Sequence, residues 1–467
     1  MSFLSSKQKQ RLIAASLSLA CLGAMGTVMA ADTPQPPALN GMGQPPAPPD
    51  GKRPPAPPPD GKFGGMQEKQ NDASNLKATQ IVDGVTSDVS NNTLANDNTD
   101  ENVLLVRNNG SLTAKDDTLT KNGDSSSADA SNFTGQNAII LVNNSTADLE
   151  NLNLSSNGDG ANGIFATGEK AQIQARHIKI HTKNNSSRGL DATYGGTINA
   201  EDVDIITEGA HCGALATDRG EGNIIVKDAK IQTSGEGSPC IYSTGNIQLT
   251  NGNGEATGSE IAVVEGKNSI TLKDSTLTGH VKHGVMLYQS FSEDANVGTA
   301  QFTAVNSTLN NQSDGPVFYI TNTTATATLE NTTLNQSGDI LVKVTSDRWG
   351  SEGKNGGDFT LKAKNQLLTG QILANNISKV TLELGSGSTF TGTINKDYQA
   401  EAANVSLKNG ANWNLTADAY VTTITDEQQD FHNIQSNKHN IYYDKSANPH
   451  LNGQSIKLPG GGQLRPR

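Results

Sequence analysis

A short apolar triplet, a Gly-containing turn and an alternating run closing on an acidic or amide residue recur along this chain from about residue 102. The first segments of the successive units begin at Val103, Ile139, Ile164, Leu190, Ala214, Ile241, Ala262, Val285, Val317 and Leu341, spaced 21 to 36 residues apart. The second segments align as Leu112-x-Ala114, Ala147-x-Leu149, Ile173-x-Ala175, Ile198-x-Ala200, Ile224-x-Val226, Ile247-x-Leu249, Ile270-x-Leu272, Phe302-x-Ala304 and Ala327-x-Leu329. A third apolar position follows at Leu119, Leu154, Ile180, Ile205, Ile231, Leu277, Leu309 and Leu334.

Period-two alternation in short runs bounded by Gly, Asn and Asp specifies strands, and a fixed period of this size specifies a solenoid. No unit can bury its own apolar residues, but stacked units cover one another. The expected fold is therefore all-β: a right-handed, single-stranded parallel β-helix of about a dozen rungs, about 4.8 Å apart. Only 34% of the residues are hydrophobic and 4% aromatic. That is little for a conventional core, yet enough for the narrow core of a solenoid.

One column supports the register. Two residues after the second inward position of each second strand stand Asp116, Asn151, His177, Asp202, Asp228, Asn251, Asp274, Asn306 and Asn331. Asp and Asn bond to nearby backbone and tolerate left-handed turns, which makes this a bend-forming column; a row of cation ligands is the alternative. The preceding position reads Lys115, Glu150, Arg176, Glu201 and Lys227, a solvated face whose opposite charges stack across strands.

The segments before the repeat differ. Lys7, Lys9 and Arg11 followed by the apolar Leu12–Leu22 and Val28-Met29-Ala30 have the form of a signal peptide over residues 1–30. Residues 34–59 hold 12 of the 17 prolines, so 31–75 reads as a disordered, extended linker. The β-helix is assigned to 76–383, and 384–467 to looser C-terminal rungs and a cap. The chain is expected to be exported, to the surface, the medium or the periplasm. With 35 Lys+Arg against 47 Asp+Glu, net −12, it has no bulk electrostatic grip on nucleic acid. No run is long and apolar enough for a transmembrane helix.

Cys212 and Cys240 precede first strands on neighbouring rungs, which places them within reach of disulfide geometry. In an exported protein a bridge between them is expected. No HExxH, GxSxG or P-loop spacing occurs, and no catalytic residue, metal or cofactor is expected. The densest polar cluster, His211-Cys212-Gly213 with Asp218-Arg219-Gly220-Glu221, reads as a solvent-exposed turn; His280 and His283 lie three rungs on, about 14 Å away. The two longest insertions after a first strand, Gln289–Thr299 and Thr345–Asp358, fall at the same step of the repeat and should project from one edge about 10 Å apart. They carry Phe291, Glu293, Asp294, Asp347, Arg348 and Trp349. Phe291, Asp347, Arg348 and Trp349 form the candidate ligand-binding edge; Trp349 folding back as a local cover is the competing expectation.

Asn409-Gly410-Ala411-Asn412-Trp413-Asn414-Leu415-Thr416 with Tyr420-Val421-Thr422-Thr423-Ile424 resembles the late rungs of autotransporter passenger domains of the pertactin and AIDA adhesin type. Arg348-Trp349-Gly350, Asn355-Gly356-Gly357 and Ser388-Thr389-Phe390-Thr391-Gly392 are similar to large bacterial surface β-helix proteins. The resemblance covers roughly residues 100–425 and implies the fold and a surface role. The chain departs from the pattern in ending on Leu464-Arg465-Pro466-Arg467 rather than a translocator-barrel strand. Three functions follow as expectations: an adhesin-like, non-enzymatic protein binding host or bacterial surface molecules (protein or glycan), a polysaccharide lyase or glycoside hydrolase, or a structural envelope component.

Overall fold

A computed structural model describes residues 72–291 and 294–467. The segment expected to be a signal peptide, the proline-rich segment and Glu293 lie outside the described residues. The described chain is a parallel β-solenoid of about 16 turns, more than the dozen rungs expected. The difference arises at both ends. A first rung formed by Lys77–Asp83, Thr86–Ser90 and Thr93–Asn96 precedes the first unit legible as a repeat. At the other end, strands continue to Gln463–Pro466.

The register is the one the apolar columns require. Ile173 is level with Ala147 and Ile198, Ile198 with Ile224, and Ile224 with Ile247. All are buried, as alternation demands of side chains on one face of a strand. Each such residue removes apolar surface from water worth roughly 1.5–3 kcal/mol, but only against its neighbours above and below. Inward hydroxyls close the turns between rungs: Thr182, Thr207 and Thr233 donate to the carbonyls of Ser187, Cys212 and Ser238 at 2.5, 2.6 and 2.5 Å.

The Asx column bends the chain. All nine of its members have left-handed backbone, φ 48° to 58°, and Asn91 and Asn365 extend it by a rung at each end. The side chains form a ladder. Asn151 donates to Asp116, and Asn251 to Asp228. Asn306 donates to Asp274 at 3.2 Å and Asn331 to Asn306 at 2.9 Å, while His177 Nδ1 lies 2.8 Å from Asp202. Beside it, Lys115–Glu150 at 3.1 Å and Lys227–Glu201 at 2.6 Å realise the charge alternation on solvated side chains.

The first segments of the rungs form one fifteen-stranded parallel sheet. Its inner face lines the core. Its outer face is roofed, which the repeat did not foretell. The outward Leu105, Leu141 and Phe165 pack with Ala138, next to a π-helix, Ala130–Thr134, grown from the long step between Val103 and Ile139. Outward Tyr242, Val263 and Tyr288 pack under Trp349. At the C-terminal end Trp413 stacks on Phe390 with centroids 5.9 Å apart and donates to the Gly392 carbonyl. An antiparallel pair, Ile456–Lys457 with Gln463–Pro466, interrupts the parallel order there, which blunts the exposed strand edge. Among the described residues no helix is long and apolar enough to cross a membrane.

Candidate functional site

The roofed face collects five of the buried charged side chains among the described residues. Register places Phe165, Asp191, Ala216, Tyr242, Val263, Met286 and Tyr319 in one outward column, and Asp218, Thr244, Glu265 and Tyr288 in a second. Arg188, Asp191, Asp218, Glu265 and Asp294 are all buried. Arg188 reaches Asp218 at 2.8 Å and Asp191 at 3.6 Å, and its Nη1 donates to Asn132 of the π-helix at 2.6 Å. Glu265 accepts from Tyr242 at 2.7 Å and Tyr288 at 2.8 Å, and from the Ser290 hydroxyl. Arg219 pairs with Asp294 at 2.7 Å while its guanidinium lies 3.9 Å from the Phe133 ring centroid. One side chain thus joins the two roof segments.

Burial sets the electrostatics. It pushes the Asp191 and Asp218 carboxyls up, with the Arg188 charge pulling the other way. It raises Glu265 against the bonds from Ser290, Tyr242 and Tyr288. It lowers His211 to about 4, with Arg188 and Lys282 adding to the effect.

The 211–221 segment is therefore only in part the solvent-exposed turn that the sequence suggested. Asp218 is buried and Arg219 has 31% of its side chain exposed. Both side chains turn under the roof because neighbouring rungs offer them opposite charge. His280 lies apart from the cluster, 2.7 Å from Glu255. His283 stacks on Tyr319 with centroids 4.1 Å apart.

The two insertions meet rather than stand apart. Phe291 and Trp349 have ring centroids 6.0 Å apart, Trp349 and Tyr288 5.5 Å. Trp349 is buried as a cover over the sheet, because the outward Tyr242, Val263 and Tyr288 give it an apolar seat. Phe291 stays 43% exposed. Arg348 lies over the Trp349 ring at 4.7 Å, and Asp347 accepts from Tyr319 at 2.7 Å; both are exposed. The candidate edge is thus one patch, with Trp349 as its floor.

The expected Cys212–Cys240 bridge is corrected: both thiols are free and buried. Leu215 pairs with Ile241, so Cys240 is level with Ala214 and Cys212 with Ser238. The two sulfurs occupy different columns. Cys212 replaces a serine in a turn ladder, accepting from the Ser187 N–H at 3.0 Å while its own N–H donates to Ser238 Oγ at 2.9 Å. Cys240 belongs to the core, beside Gly254, where an added Cβ would fall 3.1 Å from its sulfur. Burial pushes each thiol up to about 12.

Among the described residues no three His, Cys, Asp or Glu side chains converge to hold a metal ion. The Asx column lies on the bends, away from the roofed face. Sequence reading missed Arg188, Asp191, Glu265, Tyr242 and Tyr288. The available signals were the apolar outward positions Leu105, Leu141 and Phe165, which need a cover, and an Asp in the middle of the triplet Leu190-Asp191-Ala192.

No family model, curated protein or solved structure matches this chain. The fold rests on the strand register itself, and the likeness to autotransporter passenger domains rests on the short motifs alone.

Proposed function

We propose that the chain is an exported, adhesin-like, non-enzymatic β-helix protein that binds a surface or extracellular molecule, with a glycan as the favoured class. One observation carries this reading: insertions from separate rungs join Phe291, Trp349, Arg348 and Asp347 into a single exposed patch on a rigid sheet. An exposed ring suits the apolar face of a sugar, and a guanidinium beside a carboxylate suits its hydroxyls or acidic groups. The proline tract serves as the spacer. Glycan-array and whole-cell binding test it: Phe291→Ala and Arg348→Ala should each lower binding at least tenfold at unchanged thermal stability. Equal binding by wild type and both variants would remove the patch from the account.

A second reading, a polysaccharide-active enzyme, is favoured by the carboxyls of Asp191 and Asp218 beside Arg188. Hydrolysis needs carboxyls on both sides of a scissile bond, and these stand beneath the roof. Turnover of acidic polysaccharides that disappears in Asp218→Ala and Arg219→Ala would promote this reading over the first.

A further inference from the structure

The roofed face holds an unbalanced charge. Arg188 is the fully buried cation there, against the carboxyls of Asp191, Asp218 and Glu265; Arg219 and Asp294 balance each other. Glu265 receives donors from two tyrosines and Ser290, a setting that supports an ionised carboxylate. Asp218 lies against the Arg188 guanidinium. Asp191 is different: its oxygens meet no side-chain hydrogen-bond donor, the Ala192 backbone is its near partner, and Arg188 comes no closer to it than 3.6 Å. A fully buried carboxylate with so few donors is costly, whereas the neutral acid is much less so.

We propose that Asp191 and Asp218 share one proton at neutral pH, and that this proton keeps the roof segment 129–137 closed. One guanidinium then balances one carboxylate, and the pair titrates as a unit. The burial that raises both carboxyls agrees with this assignment. The roof reads the charge through two contacts. Asn132 accepts from Arg188, and the Phe133 carbonyl accepts from Thr193, next to the Asp191 triplet. The other charged or titratable groups facing the pair are Tyr242 and Glu265 from later rungs, His211 and Cys212 from the adjacent turn, and Asp294 from the insertion Gln289–Thr299. Arg219, under Phe133, and Asp129 of the roof stand beside them. None supplies a second free cation. Loss of the proton leaves a buried negative charge under acceptor oxygens, and water entry with loosening of 129–137 relieves it.

The sign follows from linkage. Both carboxyls are raised in the folded state, so the proton is bound folded and absent unfolded above the ordinary carboxylate range. The stability it contributes is present at acid pH and is lost as pH rises through the folded-state value. For an opening that releases one proton, protection falls about tenfold per pH unit between the open-state and closed-state values and levels off above the latter.

Hydrogen–deuterium exchange of peptides covering 126–137 in the full chain, corrected for intrinsic rates, tests this from about pH 5 to about pH 9. Wild type should lose protection with that slope, while Asp191→Asn and Asp218→Asn should stay flat and closed. Infrared spectroscopy gives an independent reading on unmutated protein: a carboxylic-acid carbonyl band should persist at neutral pH and vanish above the transition. Absence of the band at neutral pH overturns the shared proton. A band present with pH-independent exchange overturns its link to the roof. Neither readout depends on what the Phe291 patch binds.

Discussion

Replacing Asn306 separates the two readings of the Asx column. The residue has φ 49°, donates to Asp274 at 3.2 Å and accepts from Asn331 at 2.9 Å. In Asn306→Ala the Cβ stays in left-handed backbone without the local side-chain bonding that lets Asn tolerate it, a conformation that costs an ordinary L residue about 1–2 kcal/mol. Two exposed ladder bonds are also lost, each worth a few tenths to about 1 kcal/mol. A destabilisation of about 2 kcal/mol results. Asn306→Gly loses the same bonds and adds the entropy of Gly in the unfolded chain, but it sheds the left-handed Cβ, so it should cost less than Asn306→Ala. Urea unfolding followed by far-UV circular dichroism reads the difference, compared at equal m-value because a solenoid can depart from two-state behaviour. The bend explanation fails if Gly is as damaging as Ala. It fails equally if calcium raises the wild-type midpoint and Asn306→Ala abolishes that response, the outcome for a row of cation ligands.

Two further outcomes are expected. Thiol titration of the chain from residue 31 onward should count no reactive cysteine in the native state and two after unfolding, because Cys212 and Cys240 are free, buried and pushed up to about 12; a disulfide in the purified protein would contradict the register. Lys121 is buried with its Nζ 2.6 Å from the Asn98 carbonyl, and burial lowers it to about 8 against the pull of Glu101, Asp124, Asp97 and Asp100. A lysine lowered in the folded state is held neutral there first, so stability should rise between about pH 8 and the ordinary lysine range. Thermal unfolding of Lys121→Met should lack that rise, and a rise as large as in wild type would refute the assignment.

The local geometry of the solenoid was legible because it is set by nearest neighbours. Ile173, Ile198 and Ile224 repeat at nearly constant spacing, and alternation sends all three to the same side. The bends were legible for the same reason: Asn and Asp are the side-chain types that accept a left-handed backbone, and eight of them, with His177, stand at one step of the repeat. The first rung was harder to read because Thr79, Gln80 and Ser87 occupy the end of the stack, where polar side chains meet water.

What the sequence determined by itself was the stack: the period, the strand type, the inward columns and the bend column, all carried by side chains interacting with the next layer. Tertiary structure alone decided the roofed face, since Arg188 meets Asn132 across 56 residues and Arg219 meets Asp294 across 75. Such contacts leave no period to read. It also decided the cysteines, where a two-residue offset in register sends one sulfur into a turn and the other into the core. Side-chain pattern fixes what a rung does to its neighbour; only the folded path of the insertions fixes which distant charges are shut away from water together.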